Sequence, residues 1–393
     1  MTHDDLDPAT LCVLETERAP GTPLVGPLVR SISYHLDDAT YARRLSGEAD
    51  RTLVYARETN PSLAALEERM ASLEGAERTL AFSSGMSALH TLLLATLEAG
   101  DHVLVAQKVY GGSERLVRDL LPRLQARFEI VDMDDLEQVE SALAKGPRML
   151  LCESLSNPLT AVSDLGALKQ AIERLAPECA LVVDATLATP FGQRPLEHGA
   201  DFVWHSATKY LGGHGDVLAG VLSGAREALE PVWKARTLAG CVLDPQAAWL
   251  LERSLKSLAV RVRAQAQSAA RLAARLQDHP DVERVHYCGL AEDRYHELAQ
   301  RYLRCTGGLF GFVVRGGDEG AQRVLRRLRL MVEAASLGDV VTLVSRPRDL
   351  SHCYASDAER HAAGIVPGFL RVAVGLEDAE DLEADLLQAL QAI

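Results

Sequence analysis

Short apolar runs alternate with helix-like stretches over residues 61–245. Apolar residues recur at helical spacing from Leu63 to Leu73, and Gly75 ends that pattern. Further helices are predicted over 86–98, 113–126 and 164–175. Six apolar runs between and after them predict buried strands: His102–Ala106, Phe128–Val131, Arg148–Cys152, Ala180–Asp184, Ala200–Trp204 and Leu218–Leu222. This alternation predicts an α/β domain with a mostly parallel sheet and helices on both faces.

The flanking regions differ from this central pattern. Residues 1–60 show weak periodicity and many Pro, Gly and Thr residues, which indicates an arm ordered by the surface of a neighbouring subunit. A long helical pattern over 246–277 opens a smaller C-terminal α/β domain, residues 246–393. Its strand candidates are 282–286, 308–314, 341–345 and 369–374. We therefore expect an arm (1–60), a large domain (61–245) and a small domain (246–393).

Composition narrows the class of protein. The 393 residues include 47% hydrophobic and 24% charged residues, as expected for a soluble globular protein. A net charge of −14 argues against nonspecific binding to nucleic acids or to a membrane surface. Seven scattered cysteines, never spaced Cys-x-x-Cys, indicate neither a disulfide framework nor a zinc ribbon. With no signal-peptide pattern and no apolar run of roughly 20 residues, we expect a cytoplasmic protein without a metal.

Lys209 is the first candidate for chemistry. It follows an apolar strand-like run, has Ser206 and Thr208 before it, and precedes a glycine-rich turn. Such a lysine is either a surface residue at a strand end or an amine that forms a Schiff base with an aldehyde cofactor. The Schiff base removes the cost of burying a charged amine, and the cofactor then supplies an electron sink.

Two further segments suit such a cofactor. Asp184 closes a predicted strand, where it either caps a turn or holds a protonated pyridine nitrogen. The segment Ser83–Ser87 precedes a predicted helix, and its Gly85 lets the backbone approach a ligand closely. Helix N-termini bind phosphate through unpaired amides, although Ser and Gly also cap ordinary helices.

Tyr110 and Arg371 complete the candidate site. Tyr110 stands between a strand end and two glycines, so it either packs as a half-buried residue or stacks on a cofactor ring and donates a proton. Arg371 alternates with apolar residues, which fits a solvated strand face or a clamp for a substrate carboxylate. A pyridoxal phosphate site requires all of these groups together.

The order of several motifs resembles one family of enzymes, the cysteine/methionine-metabolism family that depends on pyridoxal phosphate. It includes cystathionine γ-synthase, cystathionine lyases, methionine γ-lyase and O-acetylhomoserine sulfhydrylase. The likeness extends from about residue 50 to the C-terminus. It implies the fold type I of such enzymes, with a seven-stranded-type sheet in the large domain. The motifs are Tyr55–Pro61, Ser84–Met86, Tyr110–Gly112, Glu153–Pro158, Asp184–Thr186, Ser206–Gly213, Ser336–Asp339 and Leu370–Glu377.

The resemblance implies a role for each matching residue. Lys209 carries the cofactor and moves protons, Asp184 holds the ring nitrogen, and Tyr110 stacks on the ring and acts as an acid. Substrate carboxylate binding falls to Asn157, Ser336 and Arg371. The remaining implied cofactor contacts are Gly85, Met86, Thr186, Ser206 and Thr208, with Tyr55 and Arg57 supplied by a neighbouring subunit. The family's usual assembly is a homotetramer built from two dimers.

The expected reaction is an α,γ-elimination from a sulfur amino acid, giving a 2-oxo acid, ammonia and a thiol. The run Ala335–Asp339 resembles methionine γ-lyases and sulfhydrylases more than cystathionine enzymes, whereas Gly112 replaces the cysteine usual in methionine γ-lyases. A γ-replacement synthase, a cystathionine lyase, an aminotransferase and a cofactor-binding protein without turnover are the alternatives. Three charged departures either reshape the pocket or are solvated surface: Glu114, Arg346 and Arg348.

Overall fold

The chain folds around two β-sheets. The structure is a computed structural model, and it describes residues 6–14, 23–350, 353 and 356–391. The large sheet contains strands β1 (Arg78–Phe82), β2 (His102–Ala106), β3 (Arg127–Val131), β4 (Met149–Glu153), β5 (Ala180–Asp184), β6 (Phe202–His205) and β7 (Gly220–Gly224). The small sheet contains β8 (Val282–His286), β9 (Leu309–Val314), β10 (Val332–Glu333), β11 (Leu343–Ser345) and β12 (Phe369–Ala373).

The large sheet confirms the predicted fold class. Its strand order is β1-β7-β6-β5-β4-β2-β3, and every neighbouring pair is parallel except those that involve β7. The chain leaves β2 toward β3 on one side and returns to β4 on the other. Ligands of open α/β sheets bind outside the carboxyl ends of strands at such a reversal. The crevice beyond β2, β4 and β5 is therefore the expected place for a site.

Helices cover both faces of the large sheet. In β1, Leu80 and Phe82 belong to one apolar core and Ala81 to another, because alternate residues of a strand point to opposite faces. The helices are α1 (Pro8–Leu11), α2 (Asp38–Leu45), α3 (Pro61–Glu74), α4 (Gly85–Thr96), α5 (Gly111–Leu120), α6 (Leu136–Leu143), α7 (Leu165–Leu175), α8 (Thr189–Gly192), α9 (Arg226–Ala239), α10 (Pro245–Leu255), α11 (Leu258–Gln277), α12 (His296–Tyr302), α13 (Gly317–Arg327), α14 (Asp357–Ala362) and α15 (Ala379–Leu390).

The small sheet has the order β10-β11-β12-β9-β8 and a core of its own. Each of its four predicted strands is present, and β10 is an additional short one. The predicted helix over 246–277 is wrong as a single element, because α10 ends at Leu255 and α11 begins at Leu258. Strand β12 carries Arg371 at its centre, and it brings this side chain to the crevice of the large sheet.

The N-terminal arm contacts its own chain at several points. Leu11 in α1 is buried in the core that also contains α3. Nε1 of Trp249 donates a hydrogen bond to the carbonyl of Gly26 over 2.9 Å. Other apolar side chains of the arm are exposed, among them Leu24 and Leu45. Residues 1–5 and 15–22 of the predicted arm lie outside the described residues. None of the helices that the structure describes combines the length and apolarity needed to cross a membrane.

Candidate active site

A cavity of about 440 Å³ lies at the carboxyl ends of the large-sheet strands. It brings together eleven of the thirteen residues that the sequence singled out. These residues come from strands, helix starts and loops that are far apart in the chain, and the fold brings them together at one edge of the large sheet. The eleven are Gly85, Met86, Tyr110, Asn157, Asp184, Thr186, Ser206, Thr208, Lys209, Ser336 and Arg371.

Lys209 places a reactive amine in this cavity. Its Nζ donates a hydrogen bond to Oγ of Ser336 over 2.7 Å. Burial lowers the pKa of Lys209 to about 8, and the positive charge of Arg371 acts in the same direction. A larger fraction of this amine is therefore neutral near pH 8 than of an ordinary lysine. Neutral amines are the form that attacks an aldehyde.

Asp184 occupies the end of β5 and is buried. Its Oδ1 accepts a hydrogen bond from the amide of Thr186 over 2.8 Å, and Oγ1 of Thr186 accepts one from the amide of Ser206 over 2.8 Å. Burial raises the pKa of Asp184, while the hydrogen bonds from Thr186 oppose that rise. A carboxylate in this position would bind a cationic ring N–H more strongly than it binds water.

The N-terminus of α4 forms another wall. Ser84 caps this helix in a capping box: its Oγ accepts from the amide of Ser87, and its own amide donates to Oγ of Ser87. A Cβ atom added at Gly85 would lie only 2.8 Å from Cα of Ser206. Glycine is therefore required for the start of α4 to touch the turn that carries Lys209. The amides at the start of a helix favour an anion such as a phosphate.

Arg371 is buried and points into the cavity from the small sheet. Its Nη2 donates to the carbonyl of Ser336 over 2.5 Å, and its Nη1 lies 3.4 Å from Oδ1 of Asn157. Burial lowers the pKa of Arg371 to about 10. Its Nε has no hydrogen-bond partner among the described residues. A buried guanidinium with a free donor and no anionic partner suits a substrate carboxylate.

Tyr110 is 41% exposed and lines the cavity just before α5. A Cβ atom added at Gly112 would lie 2.4 Å from Cε1 of the Tyr110 ring. The glycine thus leaves room for the ring to lie against the first turn of α5. An exposed aromatic face at a cavity wall can stack on a planar ligand.

Glu153 lines the same cavity, although no role was predicted for it. It closes β4 as Asp184 closes β5, and the two residues are in register on neighbouring parallel strands. Burial and the negative charge of Asp184 hold the pKa of Glu153 well above its usual value. The sequence signal that could have identified Glu153 is its position directly after an apolar run, as for Asp184. Trp204 and five leucines also line the cavity without having been predicted: Leu155, Leu187, Leu218, Leu337 and Leu350.

Two predicted cofactor residues, Tyr55 and Arg57, lie outside the cavity of their own chain. Nη1 of Arg57 donates to the carbonyl of Thr237 over 2.7 Å, and its guanidinium carbon lies 5.5 Å from the centre of the Tyr55 ring. Their supply by a neighbouring subunit therefore stays a prediction.

The three charged departures do not line the cavity. Glu114 pairs with Arg118 on the same helix, with 2.6 Å between Oε1 and Nη2. Arg346 pairs with Asp349 over 2.8 Å, and Arg348 pairs with Asp318. Each of these side chains is thus partly buried in an ion pair away from the cavity of its own chain. Only the ends of the 345–350 segment, Ser345 and Leu350, reach the cavity.

A family model described as the Cys/Met metabolism PLP-dependent enzymes matches residues 9–391. The chain belongs to this family. Its cofactor is pyridoxal phosphate. The predicted family and cofactor are thereby confirmed.

Individual relatives carry different activities in their names. An L-methionine gamma-lyase from Fusobacterium nucleatum is 36% identical over 94% of this chain and 94% of its own length. A cystathionine beta-lyase from Bacillus subtilis is 39% identical over 92% of each chain. The structure of an O-acetylhomoserine (thiol)-lyase from Campylobacter jejuni matches with a TM-score of 0.91 and 29% identity. It covers 98% of this chain and 100% of that one, and it carries an N'-pyridoxyl-lysine-5'-monophosphate.

The residues of the cavity fit pyridoxal phosphate. Lys209 offers the amine for its aldehyde, and Asp184 offers an anion for its ring nitrogen. The start of α4 lines the cavity at Ser84, Gly85 and Met86, and the backbone amides of a helix N-terminus suit its phosphate. The described residues contain no cluster of three or more His, Cys, Asp or Glu side chains suited to a metal ion.

Proposed function

We propose that the protein is a carbon–sulfur lyase that carries out α,γ-elimination on a small thioether amino acid such as methionine. The observation that carries this proposal is the distribution of charge in the cavity. Among the described residues, the charged side chains of the lining are Glu153, Asp184, Lys209 and Arg371. The rest of the wall is polar but uncharged or apolar, with five leucines and Met86.

This distribution favours a substrate with one charged end. Arg371 binds one carboxylate, and the amine of the same substrate belongs near Lys209. Cystathionine carries a second amino and carboxylate group. Among the described lining residues no second cation remains for that carboxylate, and Glu153 already accepts two backbone hydrogen bonds. A thioether side chain instead gains from burial against leucines, by about 25 cal/mol per Å² of apolar area. The apolar wall therefore supports methionine over cystathionine.

The protein groups have separate tasks in such a reaction. Pyridoxal phosphate, when bound, supplies the electron sink that stabilises negative charge on the substrate carbon. Lys209, with its lowered pKa, accepts a proton from the substrate carbon and returns it at a later step. The hydroxyl of Tyr110 donates a proton to the departing sulfur. Arg371 and Asn157 hold the substrate carboxylate and so fix which carbon faces Lys209.

The proposal includes an oligomer with shared sites. Leu238 is 85% exposed beside Thr237, whose carbonyl binds Arg57. Leu218 is 65% exposed and lines the cavity. A second copy that covers this region would bury these leucines and bring its own Tyr55 and Arg57 toward the phosphate. We propose a homotetramer of two such dimers in the cytoplasm, acting on amino acids and not on nucleic acid.

The test is to supply the purified holoenzyme with methionine, homocysteine, cystathionine and O-acetylhomoserine, each with and without an added thiol. We expect methionine alone to yield methanethiol, ammonia and 2-oxobutanoate. Mass spectrometry identifies the 2-oxo acid, and a thiol reagent measures methanethiol. Absence of all thiol and 2-oxo acid from every sulfur substrate would refute the proposal.

A γ-replacement synthase is the second candidate. The apolar wall also accommodates the acyl group of an activated homoserine ester, and the exposed Leu218 and Leu350 border an opening for a second nucleophile. In the same experiment, a thioether product that forms from O-acetylhomoserine only when thiol is added would favour this candidate.

A further inference from the structure

Glu153 contacts two different loops of the site through its two carboxylate oxygens. Its Oε1 accepts a hydrogen bond from the backbone amide of Tyr110 over 2.6 Å. Its Oε2 accepts one from the backbone amide of Asn157 over 3.1 Å. Tyr110 follows β2 and Asn157 follows β4, so a single side chain links the loops that leave these neighbouring strands.

This carboxyl group lies in an unfavourable place for a charge. The side chain of Glu153 is 5% exposed, and it shares one face of the sheet with the buried Asp184 of the neighbouring strand. Among the described residues no basic side chain acts on the pKa of Glu153, and its oxygens accept only the two backbone hydrogen bonds. Burying two such groups side by side destabilises a protein. Buried acids with strongly shifted pKa values concentrate at functional sites, where their geometry serves the reaction.

The chemistry of the two contacts explains why a glutamate suits this position. Two N–H donors point at one side chain, so both of its terminal atoms must be acceptors. A glutamine offers one carbonyl oxygen and one NH₂ group, which would face an N–H donor and leave it unpaired. A buried donor left without a partner destabilises the folded protein. An aspartate keeps both oxygens, but it is one methylene shorter.

We propose that Glu153 is a positioning residue that fixes Tyr110 and Asn157 against the cofactor and the substrate. It touches neither reacting group itself and acts through the two backbones that it holds. One oxygen sets the place of the Tyr110 ring and hydroxyl, and the other sets the place of Asn157 next to Arg371. The inference rests on the proposed function, because it assigns Tyr110 and Asn157 their roles in that reaction.

The first test compares Glu153→Gln with the unsubstituted holoenzyme and with a control variant, Glu140→Gln. Glu140 lies in α6, and its side chain pairs with Arg174 outside the cavity. Two readouts are the visible circular dichroism of the bound cofactor and the kcat for elimination from methionine. We expect Glu153→Gln to bind cofactor, to show altered dichroism and to lose kcat by about a hundredfold, as a displacement near 1 Å would cause. Glu140→Gln should match the unsubstituted enzyme in both readouts.

A double-mutant cycle separates positioning from a general loss of structure. Tyr110→Phe keeps the backbone amide that Glu153 binds but removes the hydroxyl that would be misplaced. We therefore expect Glu153→Gln to cost about tenfold or less in a Tyr110→Phe background, because residues that act as a unit are not additive. Unchanged dichroism in Glu153→Gln, or losses that are fully additive with Tyr110→Phe, would overturn the inference.

If Glu153→Gln does not fold, Glu153→Asp is used in its place. It retains the carboxyl group and both acceptor oxygens at reduced reach, so we expect the dichroism to change and kcat to fall by a smaller factor. Dichroism and kcat equal to those of the unsubstituted enzyme would again overturn the inference. Failure of the proposed function is recognised separately, because the unsubstituted enzyme would then release no thiol while its dichroism still responds to substitution of Glu153.

Discussion

At the scale of single residues, the amine of Lys209 is governed by two neighbours from different sheets. Burial at the end of the large sheet and the charge of Arg371 from the small sheet both disfavour its protonated form. The Oγ of Ser336 accepts its hydrogen bond and keeps it inside the cavity. The position of Arg371 therefore affects two properties at once, since it lowers the pKa of Lys209 and is the group that we propose for the substrate carboxylate.

This arrangement gives a pH dependence for cofactor attachment. The pKa of Lys209 in the folded cofactor-free protein is about 8, below its ordinary value, so its neutral form disappears as the pH falls below that value. We expect the rate at which the cofactor-free protein bonds to pyridoxal phosphate to fall about tenfold per pH unit below the midpoint and to level off above it. Stopped-flow absorbance measures the rate.

The matched variants are Lys209→Ala, which should show no absorbance change, and Arg371→Gln. Loss of the positive charge in Arg371→Gln should move the midpoint to higher pH. A midpoint near the ordinary lysine value in the unsubstituted protein would contradict the expected effect of burial.

At the scale of elements, the two glycines at the start of α4 and in β7 set how closely this helix approaches the sheet. A Cβ atom added at Gly220 would lie 2.2 Å from the carbonyl oxygen of Ser84, which is backbone and cannot rotate away. The position of the α4 N-terminus, which we propose binds the phosphate, thus depends on Gly220 of the neighbouring sheet. Sequence motifs alone do not reveal this dependence.

We expect Gly220→Ala to destabilise the cofactor-free protein by about 1–3 kcal/mol, because overpacking shifts the backbone. Urea unfolding followed by circular dichroism measures the free energy of unfolding. The affinity for pyridoxal phosphate should fall as well, since α4 must move. Gly26→Ala is the control, because a Cβ atom there meets nothing within 4 Å. Equal unfolding free energies for the two variants would refute the steric argument.

Most of the large sheet could be predicted from apolar runs, whereas β1 could not. This strand begins with Arg78, which is buried because it pairs with Asp50 and Glu230, and a charge inside a strand conceals the apolar pattern. The break between α10 and α11 contains no Gly or Pro, so the sequence pattern did not predict it. The partners of Glu153 were also beyond sequence reasoning, because they depend on how the ends of β2 and β4 meet in space.

At the scale of the whole molecule, the cavity is bordered by leucines that are exposed in a single chain, Leu218 and Leu350. Eleven predicted site residues line it, while Tyr55 and Arg57 do not. The motif around these two residues resembles that of the family, in which they bind the cofactor. Because they do not line the cavity of their own chain, we infer that they reach the cavity of a second subunit. A shared site makes activity depend on pairing between chains.

Mixing two inactive variants tests this dependence. Lys209→Ala removes the amine, and Arg57→Ala removes the proposed contribution to the neighbouring site. A hybrid dimer contains one intact site, so we expect co-refolded or co-expressed variants to regain about a quarter of the full activity. Each variant alone should stay inactive, and a mixture that also stays inactive would show that sites are not shared.

Ser336 has a consequence for how this protein can be stabilised. Its φ of 82° lies in the left-handed region, where a residue other than glycine costs about 1–2 kcal/mol. Glycine would relieve that cost but would remove the hydroxyl that accepts from Lys209, while the carbonyl that binds Arg371 would remain. Stability and activity therefore favour different residues at this position. Directed evolution for heat resistance alone would select against the serine, whereas selection for turnover would retain it.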